Sequence, residues 1–140
     1  MQLQELTGEH TLDAVDFNTV TITPCYGSTD SCGVMLFRLD GKVYAATEDP
    51  DDGYRSCMRE LTVSDAPMTN TFEPIRVIGR HRERMDEEYH ENDTSDILEL
   101  VDAVTGLIVI TVGTENTNDY YPWYEAKFNP ENMAPNAEVV

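Results

Sequence analysis

Lysine is almost missing from this chain: Lys42 and Lys127 are the only two in 140 residues. With seven arginines the basic total is 9, against 27 Asp and Glu, for a formal net charge of -18. A surface this acidic repels nucleic-acid phosphates and anionic membranes, so direct nucleic-acid binding is not expected. Cysteine is also scarce. Cys25, Cys32 and Cys57 are odd in number and form no dense framework of the kind that staples small secreted domains. A Cys25–Cys32 bridge is disfavoured in a reducing compartment. No run of 18 apolar residues exists, so no transmembrane helix is expected. The start, Met1 to Glu5, lacks the basic and apolar regions of a signal peptide. These absences together predict a cytoplasmic protein.

What is present suffices for a core. Apolar residues make up 40 %, and seven Tyr, four Phe and one Trp argue against wholesale disorder. Strand signals dominate. Val20 to Thr23 is β-branched up to Pro24, and a loop rich in turn formers follows from Cys25 to Gly33. Asp40-Gly41 between Val34–Leu39 and Lys42–Thr47 marks a tight hairpin, since both turn positions need positive φ. A second hairpin is expected from Ile97–Asp102 and Leu107–Val112 around Thr105-Gly106, with Leu107–Val112 buried on both faces. Phe72–Ile78 reads as a strand broken by Pro74. Trp123–Phe128 reads as a last strand with Tyr124, Ala126 and Phe128 on one face. A short helix is expected from Arg55 to Leu61, capped by Asp52, with Cys57, Met58 and Leu61 turned inward. Met85–Ser95 reads as a surface loop, and no internal repeat is visible.

The expected fold is therefore mainly β. One domain over residues 1–128 holds an antiparallel sheet of six to eight strands, curled into a half-barrel or stacked as a sandwich, with one or two short helices. A flexible C-terminal tail follows over 129–140.

Several segments share a frame with a known group. These are Leu6-Thr-Gly8, the Asp40-Gly41 hairpin, the acidic turn from Glu48 through Asp49, Asp51 and Asp52 to Cys57, and the stretch from Val112 to Pro122. In this frame the chain resembles the DUF7448-like family of small, uncharacterised phage and prophage proteins, particularly those in phages of high-GC actinobacteria. The resemblance implies a phage origin and a β-rich fold and supplies no activity. Many members carry a Cys pair where this chain has Cys57 alone.

Four carboxylates in the five residues Glu48, Asp49, Pro50, Asp51 and Asp52 suit a hard cation such as Ca²⁺ or Mg²⁺, which prefers several oxygen ligands. EF-hand spacing is missing, and the plainer reading is a polar turn fixed by Pro50. The second segment, Glu115 to Tyr121, presents Asn116, Asn118, Asp119, Tyr120 and Tyr121. Amides and phenols on a loop suit recognition of a protein surface or polar ligand, because aromatics give contact area at low entropic cost. Tyr54 and Arg55 extend the acidic turn in the same sense. Arg76, Arg80, His81, Arg82 and Arg84 gather five of the few cationic positions, next in sequence to the acidic run from Asp86 to Asp93. Local charge pairing across a turn is the expected role. Cys25, Cys32, Cys57, His81 and His90 contain no zinc-type spacing, and no catalytic motif appears.

The sequence thus leads to a non-enzymatic phage accessory protein that binds a host or phage protein through Asp49–Arg55 and Asn116–Tyr121. Two alternatives stand beside it. One is an acidic nucleic-acid mimic that inhibits a host nucleic-acid-binding protein, the other a divalent-metal-dependent enzyme centred on Asp49–Asp52. Mimicry meets a density problem. A domain this size exposes on the order of 7,000 Å², or about one net charge per 400 Å², whereas duplex DNA carries roughly one per 100 Å² of its cylinder. The carboxylates would have to gather on one face.

Overall fold

A computed structural model describes residues 1–22, 30–49, 56–85, 94–116 and 122–135. Eight strands form one antiparallel sheet: β1 (Gly8–Ile22), β2 (Asp30–Leu39), β3 (Lys42–Asp49), β4 (Cys57–Ser64), β5 (Thr71–Met85), β6 (Thr94–Asp102), β7 (Ile108–Asn116) and β8 (Trp123–Phe128). The strand order is β4-β3-β2-β1-β5-β6-β7-β8. Among the described residues the only helical elements are two short 3-10 turns, Leu3–Leu6 and Pro130–Asn132.

That order is a palindrome. Two four-stranded meanders, β1–β4 and β5–β8, each open on a 15-residue strand, and the two opening strands pair antiparallel around Leu12↔Ile75. The first half of β1 pairs with the first half of β5, and the second half of each strand pairs only with its own successor. The chain therefore does contain an internal repeat, of topology. The sequence hides it because strand pairing needs only an apolar alternation, which dissimilar residues supply equally well.

The sheet curls but does not close. Its inner face carries the core, including Leu12, Val15, Met35, Phe37, Leu61, Val77, Leu98, Leu100, Ile110 and Val112. Leu3 and Leu6 of the first 3-10 turn are buried in the same cluster, each contributing about 1.5–3 kcal/mol. A smaller cluster, Val34, Leu36 and Ala45, lies on the outer face with Ala66 and Met68 of the β4–β5 connection packed on it. Asp16, 3 % exposed, pins that connection by accepting from the Thr69 amide (2.7 Å), the Thr69 hydroxyl (2.9 Å) and the Asn70 amide (2.9 Å).

The Asp40-Gly41 turn has positive φ at both residues (54° and 81°), as expected. Tyr124, Ala126 and Phe128 pack against the core from one face of β8. Other expectations need correction. Cys57–Leu61 is strand, not helix. A bulge opposite Thr47/Glu48 pairs Leu61 with Ala46 and Met58 with Glu48, so inward residues fall three apart, a spacing that imitates a helix. Pro74 does not break β5. It sits where the β1 ladder is bulged and before β6 begins pairing at Val77, so no ladder bond needs its missing amide hydrogen. Asp30–Gly33 is strand rather than loop, and Met85, Thr94 and Ser95 are strand ends. Leu107 is 50 % exposed and precedes β7, while Val109, Ile110 and Val112 are fully buried. The segment from Asn129 docks as far as Ala134. Met133 and Ala134 are buried, and the Asn132 side chain donates to the Ile108 carbonyl (2.8 Å).

Candidate functional site

The curl brings one end of β3 and β4 against one end of β7 and β8. The Ser56 amide donates to the Pro122 carbonyl (3.3 Å), and the Met58 amide to the Thr114 hydroxyl (2.8 Å). From the other side the Tyr124 hydroxyl donates to the Ala46 carbonyl (2.7 Å). Two strands at opposite ends of the sheet order, β4 and β8, are thus held side by side at a corner.

Glu48 organises the β3–β4 side. Its Oε1 accepts from the Gly33 amide (3.1 Å), and its Oε2 accepts from the Ser56 hydroxyl. Both oxygens are therefore engaged by the protein itself. Gly33 lies against both: a Cβ there would sit in ordinary contact, 3.8 Å from Glu48 and 3.9 Å from the Tyr124 ring. Burial drives the Tyr124 phenol upward most. A hydrogen bond from the Met35 backbone opposes this and the Glu48 charge adds to it, leaving the phenol pushed up to about 12. It stays a neutral donor at any physiological pH.

On the β7 side, Asp96, Thr114 and Tyr124 stand in one cross-strand row. Asp96 Oδ1 lies 2.6 Å from His81 Nε2, with the imidazole mostly buried and the carboxylate half exposed. Asn116 closes β7 on the same face as Thr114. It is 9 % exposed, and its Oδ1 is buried with no hydrogen-bond partner. A buried amide oxygen left unpaired costs about 1–3 kcal/mol, so such groups mark places where a partner group is missing.

Of the candidate binding and metal residues, Glu48, Asp49 and Asn116 are described; Asp49 and Asn116 end β3 and β7, and Glu48 precedes Asp49. Asp49 pairs with Cys57, whose thiol contacts the Asp49 carbonyl at 3.9 Å. Asp51, Asp52, Tyr54, Arg55, Asn118, Asp119, Tyr120 and Tyr121 lie outside the described residues, as do Cys25, Asp86 and His90. Ser56, Pro122, Thr114 and Tyr124 were not foreseen as site residues. One signal existed, for Thr114 alone: Thr47-Glu48-Asp49 and Thr114-Glu115-Asn116 stand in equivalent strands of the two meanders.

Among the described residues the basic positions of β5 pair across strands, while the acidic run from Asp86 to Asp93, expected as their partner, lies outside the described residues. Arg76 meets Glu9 (2.7 Å), Arg80 meets Glu99 (3.6 Å), and Arg82 lies between Glu99 (3.9 Å) and Glu115 (4.0 Å). Among the described residues no group of three His, Cys, Asp or Glu side chains is placed to hold a metal ion. None of the described helices is long and apolar enough to cross a membrane. No family model matches the chain, and no curated protein or solved structure matches it either.

Proposed function

We propose that this chain is a non-enzymatic accessory protein of the phage type, acting by binding another protein at the corner where the β3–β4 and β7–β8 connections begin. One observation carries the reading. The Ser56–Pro122 backbone bond joins the residue that follows the acidic segment to the residue that follows the amide- and tyrosine-rich segment. The described residues that flank the two stretches therefore meet at one point. The carboxylates, phenols and amides that the two segments carry in sequence suit a partner surface that presents Lys or Arg, and the net charge of -18 steers such a partner inward.

The acidic-mimic alternative draws less support. An accessible surface of 8107 Å² gives one net charge per about 450 Å², several-fold sparser than duplex DNA. The test is a pull-down from host lysate with four variants, Asp51→Asn, Asp52→Asn, Tyr120→Ala and Tyr121→Ala. Loss of the same partner by substitutions in both segments is the expected result. A partner indifferent to all four would overturn the reading. A partner released by salt alone, and untouched by the tyrosine changes, would favour mimicry.

A further inference from the structure

An exposed strand edge invites another strand, and proteins blunt such edges with charge. The described edges of this sheet follow that rule with one exception. β4 carries exposed Arg59 and Glu60, and β8 carries Glu125 and Lys127. The second half of β5, past the end of its ladder with β1, carries Arg80, Arg82 and Glu83. The second half of β1 differs. Its ladder with β5 ends at Ala14↔Thr71, and beyond the Val15–Asn70 bond it has a described partner, β2, on one side alone. Phe17, Asn18, Thr19, Val20 and Thr21 are all exposed and all uncharged, with Phe17 at 54 % and Val20 at 39 %.

We infer that the β1 edge from Phe17 to Thr21 pairs antiparallel with the same segment of a second copy of this chain. This stands independently of the binding corner. Two molecules each at -18 repel, so they can associate only where neither brings charge to the contact, and this edge is the uncharged one. Antiparallel pairing of one segment with itself gives a self-complementary, twofold interface and covers the exposed Phe17 and Val20. The mode also continues what the fold already does. β1 pairs antiparallel with its topological equivalent β5 along this same edge until the ladder stops.

The interface is short and the molecules are highly charged, so association should need salt. Sedimentation of the full chain at about 0.01 M and about 1 M NaCl, where the screening length falls from about 30 Å to about 3 Å, reads this directly. The expected result is a monomer at low salt and a dimer at high salt. Val20→Lys should lose the dimer even though it lowers the net repulsion, and Phe17→Lys should do the same from a second position. Val63→Lys, at an exposed apolar position on the β4 edge (56 %), should leave the dimer intact. Circular dichroism confirms that each variant is folded. A wild-type monomer at both salt levels, a dimer that survives both β1 substitutions, or one abolished by Val63→Lys would each overturn the inference.

Discussion

The Ser56 amide reaches the Pro122 carbonyl across 3.3 Å, joining the approach to β4 with the approach to β8 although β4 and β8 stand at opposite ends of the strand order. The bond is possible because the sheet folds its two meanders face to face. With Met58–Thr114 and Tyr124–Ala46 it makes the corner a cross-linked unit rather than a loose meeting of loops.

Glu48 is the acceptor for two donors at that corner, the Gly33 amide and the Ser56 hydroxyl. Glu48→Ala leaves both without a partner and should cost about 1–3 kcal/mol. Urea denaturation measures this. Glu48→Gln keeps one acceptor oxygen and should cost less, so equal losses would mean that the hydrogen bonds contribute little.

Asp16 holds the β4–β5 connection on the outer face. Burial raises its carboxyl, but the hydrogen bonds from Thr69 and Asn70 outweigh that and hold it below the usual aspartate range. A depressed folded value means that its stabilisation is fully present above the unfolded value of about 3.9 and is lost as pH falls through the lower folded one. Asp16→Ala should cost about 2–4 kcal/mol at neutral pH, because three charge-assisted bonds vanish. The gap between wild type and variant in urea should shrink below about pH 3.9.

Tyr124 gives a linkage of the opposite sign. An unfolded tyrosine ionises near 10.0 and the folded one at about 12, so its contribution is complete below pH 10 and declines across that interval. Burial and the Asp40 charge also raise Tyr44, so absorbance titration should show two described phenols ionising late, and Tyr124→Phe should remove one of those steps. Should all tyrosines titrate together near pH 10, the buried donor to Ala46 does not exist.

Gly113 lies opposite Ile97 with φ of 150°, and a Cβ there would collide with the Asp96 carbonyl oxygen. Gly113→Ala should therefore shift β6 against β7 and cost several kcal/mol, about 3 or more, seen as a lowered thermal midpoint. A neutral outcome would show that the two strands are not packed this closely.

Much of this fold was legible where chemistry is local. The Asp40-Gly41 turn follows from two residues that tolerate positive φ, and the inward face of β8 follows from plain alternation. The errors arose where alternation is interrupted. The bulge near Arg59 spaced Met58 and Leu61 like a helix, and Pro74 looked like a break because sequence does not show which amides lack a ladder partner. The candidate site was half legible. Its two segments stood out by composition, but the meeting of the residues that flank them depends on the curl and on long-range pairing such as that of β1 with β5. Ser56 and Tyr124 carry no local mark of their role.

The measurement that bears most directly on the corner is the scalar coupling across the Ser56–Pro122 hydrogen bond, recorded by NMR on uniformly labelled protein together with amide exchange at Ser56. The predicted result is a correlation between the Ser56 nitrogen and the Pro122 carbonyl carbon, with exchange slowed relative to an unstructured chain. No correlation and an amide that exchanges at the unprotected rate would contradict it, and with it the claim that the residues flanking the two segments meet at one corner.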